Sequence, residues 1–128
     1  MITTLIIDDE KHCSDNLQWL INQYCPEIEI SGIYNNTADA LHQIHLMQPQ
    51  LTFLDVEMPG MNGFEFISRV KELRPDIKVI LMTAFEINDI KHSKLLPAGI
   101  RIDEYIQKPI STQVLASLTE KHVNGLKI

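Results

Sequence analysis

In this chain of 128 residues, the side chains that could do chemistry stand where apolar runs stop. The run "TTLIID" leads into Asp8-Asp9-Glu10, "LTFLD" ends on Asp55, "IKVILMT" ends on Thr83, and "DEYIQ" leads into Lys108-Pro109. Carboxylates brought together repel one another unless a cation offsets them, and the cation suited to hard oxygen ligands is a divalent ion such as Mg2+. Lys108 adds one fixed positive charge, and the Thr83 hydroxyl could hold an anion's oxygen. Such a set fits a phosphoryl group. One carboxylate serves as nucleophile, the metal and the ammonium neutralise the transferring oxygens, and the hydroxyl holds the remaining one. Everything then depends on whether the fold carries these ends to one place.

The elements that would carry them alternate strictly. Strands are predicted over Thr3–Asp8, Glu27–Tyr34, Leu51–Asp55, Ile77–Thr83 and Asp103–Gln107, because each is a short apolar or β-branched run. Between them lie helical spacings. Leu17, Leu20, Ile21 and Tyr24 define the inner face of a first helix that ends before Pro26. Asn36 or Thr37 can cap a second, whose Leu41, Ile44 and Met47 face inward and which stops before Pro49. A third starts near Gly63 with Phe66, Ile67, Val70 and Leu73 on one face and closes at Pro75. A fourth is predicted near Ile87–Leu96, and a fifth from about Ser111 with Val114, Leu115 and Leu118 on its core face. Five strand–helix units with right-handed crossovers imply an α/β domain, a parallel sheet covered on both faces. The near-continuous apolar character of "LIID", "LTFLD" and "KVILMT" agrees with that burial. In open sheets of this kind, ligands bind outside the carboxyl ends of the strands, which is where Asp8, Asp9, Asp55, Thr83 and Lys108 arrive.

Composition sets the frame. With 45% apolar and 22% charged residues, the chain can build one core and is too short for two domains. A net charge of −6 without clustered Lys/Arg argues against direct nucleic-acid contact by this domain. No apolar run approaches a membrane span and "MITTLIIDDE" lacks a basic leader, so a cytoplasmic, non-membrane protein is expected. Cys13 and Cys25 lie twelve residues apart on one predicted helix, roughly 18 Å, beyond disulfide reach, and are read as reduced thiols. His42 and His45 stand one turn apart with no third ligand in view and are read as part of a solvated face.

The joint pattern "LIIDDE", "LDVEMPGMNGFEF", "VILMTA" and "YIQKPI" resembles the receiver domain of two-component response regulators over nearly the whole chain. That resemblance implies a flavodoxin-like (βα)5 doubly wound fold with strand order 2-1-3-4-5, spanning 1–122, and a tail or linker start over 123–128. It implies that Asp55 is the phosphoacceptor for a sensor histidine kinase or phosphotransfer protein. Asp9 and Asp55 would ligate Mg2+ directly with the backbone carbonyl of Glu57, and Asp8 through a water. Thr83 and Lys108 would contact the phosphoryl group, and Tyr105 would turn inward on activation. Glu57 and Phe85 would tune access of hydrolytic water. The face formed by the fourth helix, fifth strand and fifth helix would be the output surface, acting on an output domain, a downstream protein or a second copy of the phosphorylated chain. The domain would be no enzyme beyond assisting its own phosphorylation and dephosphorylation. One departure is "LPAGIRIDEY", where receivers usually carry small residues: Arg101 takes the place of a glycine and Pro97 would end or kink the fourth helix. The stretch "QYCPEIEISG" is similar to receivers joined to LytTR-type DNA-binding domains, which points to transcription regulation. A stand-alone receiver acting by protein contacts alone stays open.

Each residue taken singly has a plainer reading. An Asp after a strand is often a turn cap, Lys-Pro a helix entrance, and Tyr105 a half-buried aromatic. Two other functions fit less well. An aspartyl phosphatase of the haloacid dehalogenase type would want D-x-D where "DVE" stands. A flavin carrier would want a phosphate-binding loop where "DDEKH" would repel the phosphate.

Overall fold

A computed structural model of the chain describes residues 2–56, 63–84, 104–108, 110–117 and 120. The described elements run β1 (Ile2–Ile7), α1 (Lys11–Tyr24), β2 (Ile28–Tyr34), α2 (Thr37–Met47), β3 (Leu51–Asp55), α3 (Gly63–Leu73), β4 (Lys78–Thr83) and β5 (Glu104–Gln107). A further helical segment covers 112–117. The expected helix at Ile87–Leu96, the region Pro97–Arg101, Glu57, Phe85, Leu118 and the 123–128 tail lie outside the described residues.

The five strands form one sheet, ordered β2-β1-β3-β4-β5, with every pairing parallel. Hairpins cannot join parallel neighbours, and the crossovers after β1, β2 and β3 each carry a helix over one face. Two core clusters result. On one face Ile2, Ile6, Phe53, Ile80, Met82 and Ile106 pack with Leu17, Leu20 and Ile21 of α1 and with Leu115. On the other, Leu5, Ile7, Leu54, Val79 and Leu81 pack with Ala40 and Ile44 of α2 and with Phe66, Ile67 and Val70 of α3. Every residue of β3 is buried, as expected of the central strand.

The local signals act as expected at α2. The Asn36 side chain accepts a hydrogen bond of 2.8 Å from the Asp39 N–H, and the helix stops at Gln48, a non-glycine residue at φ 49°. The inner faces need correction at their ends. Tyr24, Met47, Leu73 and Val114, all expected inside, are exposed by 51%, 39%, 45% and 46%. After each of α1, α2 and α3, a residue of the following loop is buried instead: Cys25, Pro49 and Ile77. The last turn of each helix still buries Ile21, Ile44 or Val70, but its final residue points outward and the loop beyond supplies the next buried side chain.

A second feature was not legible in the sequence. β1 and β2 pair in step from Ile2↔Ile28 to Thr4↔Ile30, then shift so that Leu5 pairs with Gly32 and Ile7 with Tyr34. Ser31 is the extra residue of a bulge. Because side chains alternate along a strand, one extra residue moves everything after it to the opposite face. Ile30 packs with the α1-side core, whereas Tyr34 packs with the α2/α3-side core.

Candidate functional site

Asp8 follows β1 and Asp55 ends β3, adjacent strands at the centre of the sheet, so their carboxylates arrive side by side at the carboxyl edge. Both are buried, with 2% and 4% exposure, while Asp9 is exposed. One carboxylate oxygen from each of Asp8, Asp9 and Asp55 lies within 4.8 Å of the others. Lys108, just past β5, reaches across: its Nζ donates to Asp8 Oδ2 at 2.9 Å and to Asp55 Oδ2 at 3.2 Å. The Asp8 Oδ1 accepts from the Glu10 N–H at 2.9 Å, which turns the chain sharply after β1 and leaves Asp9 at the rim.

The electrostatics follow from burial and pairing. Burial works against the charge of Lys108, but the Asp8 hydrogen bond and the Asp55 charge outweigh it and hold the ammonium well above its usual range. Burial likewise pushes the Asp8 carboxyl up, against the Glu10 N–H and Lys108, and the nearby Asp55 charge adds to that rise. Three carboxylates around one ammonium leave the site short of positive charge. Their donor set, hard oxygens of which one is at the rim, fits a Mg2+ ion.

Strand alternation divides the remaining site residues between the two faces. Asp55 shares its parity with Phe53 on the α1 side; Thr83 shares its parity with Leu81 on the α2/α3 side. Tyr105 pairs with Leu81 and packs half-buried against that same core, so Thr83 and Tyr105 lie on one face of adjacent strands. Burial raises the Tyr105 hydroxyl above its ordinary value. Thr83 is fully buried, and its carbonyl accepts from the Lys108 N–H at 2.7 Å. The structure therefore gathers Asp8, Asp9, Asp55 and Lys108 into one cluster and ties Thr83 to that cluster through the backbone.

A cleft of about 510 Å3 opens beside the acids, lined by Asp8, Asp9, Ser14, Tyr34 and Asp39 among others. Tyr34 was not expected there, since only the bulge at Ser31 brings it to this wall. On the other flank, a cavity of about 140 Å3 lies between Cys13, Lys108 and Ile110. Burial pushes the Cys13 thiol up, and among the described residues neither cysteine forms a disulfide. His42 and His45 are exposed.

Fold and site together define a flavodoxin-like α/β domain with a lysine-bridged acidic pocket at the carboxyl edge of its sheet. Residues 4–120 match the model of the response regulator receiver domain, and the chain belongs to that family. It is 34% identical over 123 residues to an uncharacterized response regulatory protein of Shewanella oneidensis, covering 94% of this chain and 48% of that protein. It is 28% identical to the sensory transduction protein LytT of Bacillus subtilis, covering 95% and 48%. The receiver domain of the response regulator AraT from Geobacillus stearothermophilus superposes with a TM-score of 0.84 at 22% identity, covering 98% of this chain and 95% of that one. The chain spans about half the length of the curated relatives it matches. No helix among the described residues is long and apolar enough to cross a membrane.

Proposed function

We propose that Asp55 is the phosphoryl acceptor of this receiver domain and that a sensor histidine kinase or phosphotransfer protein is the donor. The observation that carries the reading is the Lys108 ammonium lying between two buried carboxylates, with a third acid at the rim. In the transfer, an Asp55 oxygen attacks the phosphorus, the P–N bond to the donor imidazole breaks, and the nitrogen keeps the electron pair and takes a proton. Asp9, Asp55 and the Glu57 carbonyl would hold Mg2+ directly, with Asp8 acting through a water, and the bound ion would supply positive charge against the repulsion between carboxylate and phosphoryl oxygens.

The side chains do the rest. Lys108 keeps its charge under all physiological conditions and turns from Asp55 to a phosphoryl oxygen as the acyl phosphate forms. The Thr83 hydroxyl meets a second oxygen, and Tyr105, one diagonal step away on the same face, moves into the space this leaves. Glu57 and Phe85 set the access of hydrolytic water. The face around β5 and the helices flanking it then acts on an output domain, a partner protein or a second phosphorylated copy. Output through a DNA-binding domain, and so transcription regulation, is favoured by relatives twice the chain's length that include proteins named as transcriptional regulators. The receiver spans 1–122, with 123–128 a C-terminal tail or the start of a linker, and the protein works in the cytoplasm.

The test is to incubate the protein with Mg2+ and a small acyl-phosphate donor and weigh it intact. Wild type gains one phosphoryl group and Asp55→Asn none. Equal labelling of the two, or no labelling of wild type, refutes the assignment.

A further inference from the structure

Gly32 and Tyr34 stand two residues apart on the same face of β2, after the bulge at Ser31. The Tyr34 ring lies back over Gly32: a Cβ on Gly32 would stand 2.7 Å from a ring carbon and 2.8 Å from the hydroxyl oxygen. Real Cβ atoms do not tolerate such distances, so any side chain at position 32 must move the ring. The ring has little freedom inward. It packs on a core containing Leu5, Ile7, Ala40 and Ile44, all at 0% exposure, and close-packed interiors do not admit a displaced aromatic. Tyr34 is also among the residues that line the cleft with Asp8 and Asp9, so a ring displaced from Gly32 would move beside that cleft.

We infer that Gly32 is a positioning residue for the acidic site: lacking a Cβ, it lets the Tyr34 ring lie along β2 and so keeps the cleft open for a hydrated divalent ion to reach Asp8 and Asp9. The inference rests on the Mg2+ reading of that site. It assigns a role to a strand glycine that otherwise only weakens its strand by leaving no side chain to pack. It also gives the bulge a purpose. Without the extra residue, positions 32 and 34 would face the α1-side core, and the wall of the cleft would be built from other side chains.

The test uses wild type, Gly32→Ala, Tyr34→Leu and the double variant, each titrated with MgCl2 by calorimetry. The ring position is followed in chelator from nuclear Overhauser contacts between the residue-32 Hα and the Tyr34 ring. Wild type should show that contact, and Gly32→Ala should lose it while staying folded. The Mg2+ dissociation constant of Gly32→Ala should rise about tenfold, the low end of what changes around a metal site cost. The double variant should recover most of that loss, because leucine is too short to be pushed across the cleft. Recovery separates a positioning role from general damage to β2, which a second substitution would not repair. If Gly32→Ala binds Mg2+ like wild type, or the double variant binds no better than Gly32→Ala, the positioning role is refuted and the metal reading stands. If wild type takes up no Mg2+, both fall.

Discussion

Replacing Lys108 by methionine keeps the unbranched stem and removes the charge, so it isolates the two ion pairs. The ammonium lies 2.9 Å from Asp8 and 3.2 Å from Asp55, and the side chains of the three residues are 15%, 1% and 5% exposed. At an effective dielectric constant near 20, a contact of that length has a gross attraction of about 5 kcal/mol, most of which the desolvation of the partners cancels. Removing one member of a buried pair typically costs about 3–5 kcal/mol, because the remaining charge is left uncompensated. The cleft admits water on one side, which places the expected loss near 3 kcal/mol. A domain with roughly 5–15 kcal/mol of stability survives that. With a urea dependence of about 1.5–2 kcal/mol per molar, the unfolding midpoint in chelator should fall by roughly 1.5–2 M. On the proposed Mg2+ reading the ion would supply positive charge to the same oxygens, so saturating metal should close at least half of the gap, and the stabilisation by metal should be larger in the variant than in wild type. Urea titrations of both proteins, with EDTA and with MgCl2, measure the four midpoints. Equal midpoints in EDTA, or a gap that metal leaves unchanged, would show that Lys108 does not offset the charge of this cluster.

Three further outcomes are expected. The Thr52 hydroxyl on β3 is buried with no hydrogen-bond partner among the described residues, so Thr52→Val should raise the unfolding free energy by about 1 kcal/mol, read from the urea midpoint. The Asn36 cap of α2 should be worth about 1 kcal/mol, so Asn36→Ala should lower the thermal midpoint by several degrees. The exposed Asp76 accepts from Arg74 at 3.2 and 3.3 Å, and that hydrogen bond holds its carboxyl below the usual range. Its contribution is therefore present above the unfolded value near 4 and lost as pH falls through the lower folded value. Asp76→Asn should cost under about 1 kcal/mol at pH 7 and less as the pH falls below the unfolded value, as compared by urea titration at each pH.

Much of the site was readable because its residues interrupt apolar runs, and a polar residue at the carboxyl end of a buried strand has few other places to go. Leu51–Asp55 shows this most directly, since its predicted bounds are those observed and its terminal acid is one of the two that Lys108 reaches. What periodicity could not show is where a helix outruns its support. Tyr24 and Leu73 keep the spacing of a core stripe and yet lie exposed, because Cys25 and Ile77 in the loops beyond fill the core beneath. Nor could alternation show the bulge at Ser31, because "EIEISGIY" reads as an unbroken strand in either register. Tyr34 consequently had no place in the expected site, although it forms a wall of it.

The central sheet separates Asp55 and Lys108 on its α1 side from Thr83 and Tyr105 on the other, with the Lys108–Thr83 backbone hydrogen bond running between the two sets. Such a partition has a mechanical consequence. A displacement of the Lys108 backbone would be felt at the Thr83 carbonyl, and Thr83 shares its face with Tyr105, so the two sides of the sheet are joined by main chain and not by side chains alone.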